Sequence, residues 1–266
     1  MSSPDKPLSK LLYVTGIIVI FAAVYSQYFI ELGRIGGFLV VYGIPVAVVS
    51  LLFGRELLRR AGKNNKTALK LGLGSFGALT VLSIFLSLIA FVILLRLNPQ
   101  TLDILSRPNP VLEVPPSFAW VMVAVSILVV GPAEEYLFRG FVYGGFLSIS
   151  RGRHWLLLAA VSSVLFALVH GYYMVTYGVV SVIPFITLTT FGFAMALTYY
   201  WSDGNILVPA LIHGVYDATG FLGVATSMGF GLAGRIALIV VGVVFAVIYL
   251  PQKIRFWRRA PAVAQT

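Results

Sequence analysis

Gly131-Pro132-Ala133-Glu134-Glu135-Tyr136-Leu137-Phe138-Arg139-Gly140 places three ionisable side chains inside an apolar run that begins at Phe118 and continues beyond Phe146. These are the wrong residues for a lipid-facing helix, since each charge near a helix centre costs roughly 2.5–3.5 kcal/mol on insertion scales. Glu135 and Arg139 are four apart, so they share a helix face and can pair. Glu134 points about 100° away and lacks that partner. One carboxylate is therefore left for chemistry.

The surroundings of this stretch fix its class. Of 266 residues, 59% are hydrophobic and only 11% are charged, which is not the composition of an ordinary soluble domain. The apolar runs 11–31, 36–53, 69–95, 117–148, 155–174, 179–201, 206–224 and 233–250 read as membrane spans. The expected fold is all-α, a polytopic helical membrane protein of about eight transmembrane helices with a buried polar site between helices 4, 5 and 7. The whole of 1–266 reads as one integral membrane domain, with 117–224 as its helical core. The run Leu11–Ile30 is longer than a signal-peptide core and lacks a small-x-small cleavage site, so it reads as a retained span. No internal repeat or low-complexity segment is visible. The connector Arg96–Ser117 carries five prolines and is expected to be irregular.

Charge placement gives the orientation. With the N-terminus inside, fourteen cations fall on the cytoplasmic side: Lys6, Lys10, Arg55, Arg59, Arg60, Lys63, Lys66, Lys70, Arg151, Arg153, Lys253, Arg255, Arg258 and Arg259. Only four, Arg34, Arg96, Arg107 and Arg235, fall opposite. Both termini are thus expected in the cytoplasm. The net charge of +10 lies between apolar spans, a pattern of membrane topology rather than of nucleic-acid binding. The tail from Lys253 to Arg259 mixes cations with aromatics, as an anchor on anionic lipid does. There is no cysteine, which excludes disulfides, thiolate metal sites and a cysteine nucleophile.

Six ionisable groups remain within the spans: Glu134, Glu135, Arg139, His170, His213 and Asp217. His154 sits beside Arg153 at a span end and reads as an interfacial contact. Phe166 and His170 share one helix face, as do His213 and Asp217. Glu134 and His170 each lie eighteen residues from Gly152, so a hairpin about Gly152 brings them to one depth. His213 is only nine residues past Gly204, a shortfall of about 14 Å. Either the turn Ser202–Asn205 enters the membrane zone or that helix is displaced. Pro132 frees the carbonyl of Leu128 and is expected to kink the helix one turn before Glu134.

A carboxylate and histidines in a dry site suit activation of water for attack on an amide. Other intramembrane chemistries fit less well. No H-E-x-x-H occurs, Gly74-Ser75-Phe76-Gly77 has the wrong order for a serine protease, and Asp217 is the only intramembrane aspartate. Instead, Glu134-Glu135-x-x-x-Arg139, Phe166-x-x-x-His170 and His213-x-x-x-Asp217, in that order, resemble the three motifs of the CPBP family. That family includes the Rce1-type CAAX prenyl endopeptidases and Abi-type bacteriocin-related proteins. The resemblance covers about residues 117–224.

It implies peptide-bond hydrolysis within the membrane, acting on a membrane-associated peptide or a lipidated protein C-terminus from which three residues are removed. By that analogy Glu134 is the base and His170 helps hold the water. Glu135 pairs with Arg139 and orients the site, while His213 and the residue at 217 stabilise the oxyanion. The departure is Asp217, where the endopeptidases typically carry asparagine. An ionised aspartate repels an oxyanion, so Asp217 must be protonated, orient His213 from behind, or ligate a metal. The last option makes zinc a candidate cofactor, with His170, His213 and Asp217 as its ligand set. Two other functions use the same residues: a catalytically silent scaffold or immunity-type protein, and a proton- or ion-coupled transporter.

Overall fold

In a computed structural model of the chain, residues 10–31, 33–60, 62, 64–226 and 228–259 are described. Lys6 and Lys63, used above for the orientation, lie outside them. So do the side chains of Arg34, Arg55, Arg59, Arg60 and residues 253–259.

The described residues form an all-α membrane protein with no strand. Its main rods are α1 (Lys10–Ser26), α2 (residues 33–60), α3 (Asn65–Leu97), α4 (Pro116–Ile149), α5 (Trp155–Leu168), α6 (Tyr172–Trp201), α7 (Leu207–Ala225) and α8 (Met228–Arg259). Six of these, α2, α3, α4, α6, α7 and α8, hold a stretch long and apolar enough to cross a membrane. The first and fifth expected spans are shorter, at 17 and 14 residues. Fourteen helical residues rise about 21 Å, less than the roughly 30 Å of a hydrocarbon core. α5 stops at Leu168, so His170 sits in the connection to α6 rather than on a helix face.

α3 packs between α6 and α8, α6 also meets α5, and α7 lies against α4 and α8. Small residues set two of these crossings. Gly77 of α3 and Gly242 of α8 touch backbone to backbone. On α4 and α7, a Cβ added to Gly131 would lie 2.6 Å from Ala210 O, and one added to Gly214 would lie 2.6 Å from Ser126 O. Only glycine tolerates such an approach, as in small-residue packing of membrane helices. Outward faces stay apolar, as with Phe85, Leu88 and Val92 of α3, while Phe76, Phe138, Phe166 and Met195 fill the interior.

α4 is not a regular α-helix. Ser126–Val130 and Tyr136–Tyr143 are π-helical, and the single α turn Gly131–Glu135 lies between them. Pro132 has no N–H to give Leu128, and the ladder moves to the wider register, with Gly131 N–H bonded to Ser126 O. The expected kink is thus a π turn. The connector from α3 to α4 holds one short helix, Thr101–Leu105, and a 3₁₀ turn, Pro110–Leu112. Asn109 opens that turn by accepting from Val111 N–H.

Candidate active site

Glu134 and Glu135 leave the same turn of α4 into different surroundings. Glu135 is wholly buried, with Oε1 3.0 Å from Arg139 Nη1 and accepting from His213 Nδ1 at 2.8 Å. The Glu135–Arg139 pairing expected from their spacing is present. Arg139 is equally buried, and its guanidinium lies 4.4 Å from the ring centroid of Phe166. None of its nitrogens makes an aligned hydrogen bond among the described residues, so the contact is an ion pair capped by an aromatic face.

Glu134 opens the other way. Its Oε1 accepts from Tyr42 Oη at 2.8 Å. Its Oε2 faces His213 Nε2 at 3.6 Å and His170 Nε2 at 3.8 Å, and makes no hydrogen bond among the described residues. The meeting of Glu134 with His170, expected from their equal distance to Gly152, is found. His170 is held by Nδ1, which donates to Phe166 O at 2.8 Å. A carbonyl only accepts, so this bond leaves the Nε2 lone pair aimed at Glu134.

His213 bridges the two halves. Nδ1 meets Glu135, while Nε2 faces Glu134 and also Asp217 Oδ2 at 3.4 Å. The ring is clamped by Phe191, with centroids 4.8 Å apart. Its depth is explained by the preceding turn. Ser202, Gly204, Asn205 and Ile206 are buried, so the chain re-enters α7 inside the protein. Asn205 anchors this turn by donating to Asn65 and by accepting from Val208 N–H. The close approach at Gly131 and Gly214 then brings His213 against both glutamates.

Two of the alternatives left open for Asp217 can be set against this geometry. Asp217 does not stand behind His213: that place is taken by Glu135, and Asp217 lies on the Nε2 side with about a third of its side chain exposed (34%). The zinc set His170, His213 and Asp217 is not gathered either, since no group of three His, Asp or Glu side chains fit to hold a metal occurs among the described residues. The donors run as a chain, His170 to Glu134 to His213 to Asp217, rather than closing around a point.

Tyr42 is the residue that the sequence did not reveal. It lies in a π turn of α2, Leu39–Gly43, in a span without any motif. A lone tyrosine in an apolar run has no spacing signature.

Residues 116–219 match the family described as type II CAAX prenyl endopeptidase Rce1-like. No curated protein and no solved structure gives a match. The matched stretch holds all three motifs and every side chain of the polar group except Tyr42. Residues 116–219 are thus similar to an Rce1-like domain, a likeness that supports a place among the CPBP-type intramembrane proteases.

Proposed function

We propose that this protein hydrolyses a peptide bond of a membrane-presented substrate, by water that Glu134 activates. The observation that supports this most is the division of Glu134 itself. One oxygen is held by Tyr42, and the other is turned toward two imidazoles with no hydrogen bond of its own. Two acceptors, Glu134 Oε2 and the Nε2 lone pair of His170, cannot face each other without a shared proton donor. A water molecule supplies two protons: one to Glu134 Oε2, the other to the Nε2 lone pair of His170. Separations of 3.6 and 3.8 Å leave each pair within reach of one oxygen at about 2.8 Å.

Chemistry follows from that placement. Glu134 takes the proton as the water oxygen attacks the scissile carbonyl. His213, facing carboxylates at both nitrogens, donates from Nε2 to the oxyanion. Collapse breaks the C–N bond, and Glu134 passes its proton to the leaving amine. Glu135 and Arg139 hold the His213 ring rather than touching substrate. Asp217 competes with the oxyanion for the Nε2 proton of His213 and is the least suited member of the group.

The substrate class in this reading is a membrane-associated peptide or a lipidated protein C-terminus, and residues 117–224 form the working core of a single membrane domain. Both termini face the cytoplasm, because of the fourteen-to-four cation bias. Reporter fusions at the C-terminus are expected to be active only in the cytoplasm, and an external signal would reverse the orientation.

The test of the reaction is turnover of a farnesylated CAAX peptide by purified protein and by Glu134→Gln. The variant keeps shape and removes the base, so turnover is expected to fall about 10²–10⁴-fold at unchanged melting temperature. Retention of most turnover would remove Glu134 from the reaction.

A further inference from the structure

Outside the catalytic group, a cation about two turns from the start of α8 is held by side chains of α7. Arg235 belongs to α8, inside the stretch Met228–Gln252, and makes no ion pair among the described residues. Its Nε donates to Thr219 Oγ1 at 3.1 Å, and its Cζ lies 4.7 Å from the ring centroid of Tyr216. Those two contacts fix the guanidinium plane and leave the terminal nitrogens for something else. One of them, Nη2, lies 3.6 Å from where a Cβ on Gly220 would stand.

The location of Gly220 gives this meaning. It is seven residues beyond His213 on α7, so it lies within about 20° of the same face and about 10 Å further along. Asp217, one-third exposed, lies between them on that face. The missing side chain at Gly220 lets the guanidinium end over the same strip that begins at His213. A planar fork of donors fits a carboxylate in two bonds. Three residues of extended peptide reach about 10 Å.

We propose that Arg235 binds the C-terminal carboxylate of the substrate, three residues beyond the bond that Glu134 attacks. The scissile position rests on the reaction proposed above; the anion site does not, because it is read by binding alone.

The experiment uses full-length Glu134→Gln protein, so that nothing is cleaved, and one fluorescent S-farnesylated CAAX peptide prepared as free acid and as C-terminal amide. The free acid is expected to bind roughly 10- to 100-fold more tightly than the amide. Adding Arg235→Gln is expected to weaken the acid by that factor and leave the amide unchanged, while Arg235→Lys recovers part of the preference. Equal binding of acid and amide to protein with Arg235 intact overturns the proposal, whatever the variants do. So does an Arg235→Gln variant that weakens both peptides alike, which marks a structural role. An acid preference that survives in Arg235→Gln, with loss of co-purified phosphatidylglycerol instead, assigns the arginine to a lipid phosphate and also overturns it. A clear acid preference together with undiminished turnover in Glu134→Gln would leave the anion site standing and remove the proposed base.

Discussion

Glu134 and Glu135 are neighbours in sequence, yet they belong to two different halves of one polar cluster. The closed half, Glu135 with Arg139 and His213, is 0%, 1% and 4% exposed. The open half, Glu134 with His170 and Asp217, is 10%, 15% and 34% exposed. In the closed half, opposite charges meet and are covered by Phe166 and Phe191. In the open half, acceptors face each other and call for a mobile proton donor. Burial with pairing makes a scaffold, and incomplete pairing at a wetter edge makes a reaction centre. The rotation of about 100° from one helical residue to the next is enough to separate the two.

Three substitutions probe that division beyond loss of the base. The largest effect is expected in the closed half. Arg139→Ala removes the buried cation beside Glu135, leaving the carboxylate to His213, and is expected to cost about 3–5 kcal/mol, read as a lower melting temperature in detergent. Glu135→Gln combined with Arg139→Met is expected to recover part of it. A double variant that melts lower than Arg139→Ala would show that the pair is not what holds this half together.

An intermediate effect is expected where the halves are pressed together. In Gly214→Ala the new methyl meets the backbone of Ser126 and Ile127, atoms that cannot swing away as a side chain does. Overpacking of this kind costs about 1–3 kcal/mol, and it moves His213 from Glu135. Both the melting temperature and turnover are therefore expected to fall. Unchanged turnover would mean that the helix separation is not what sets the site.

The smallest effect tests the open half. Tyr42→Phe removes one hydrogen bond to a carboxylate, about 1.5 kcal/mol or roughly tenfold in rate. It is expected to lower kcat with little change in KM or in melting temperature. In a Glu134→Gln background the same change is expected to do nothing further, because its target is already lost. Additive losses in the double variant would make Tyr42 a packing residue.

What the sequence revealed was set by spacing. Glu135 and Arg139 pair because i,i+4 residues meet even where the helix widens to π geometry. Glu134 and His170 meet because two antiparallel rods about Gly152 equalise depth, although His170 turned out to lie past the end of α5. The depth of His213 could not be read, since it depends on whether the turn Ser202–Asn205 is buried, and that rests on Asn65 of a distant helix. The position of Asp217 in front of His213 depends on side-chain direction, which a pattern of four does not specify. Tyr42 was hidden for a similar reason, because its contact spans 92 residues and leaves no local trace.

The π turn at Ser126–Val130 has a further consequence. A π turn holds one residue more than the α ladder needs, so it behaves as a stored insertion. Deleting a single residue there would let the ladder close as an ordinary helix with Pro116–Val125 in nearly its present orientation, because the residue removed is the one the wider turn had absorbed; adding one more would instead turn that stretch by about 100° against Glu134. Exchanging one apolar side chain for another on the same stretch would change only a local contact. This segment therefore tolerates spelling changes and the loss of its one spare residue, whereas a further residue just before Gly131 would uncouple the entry half of α4 from the carboxylates it delivers.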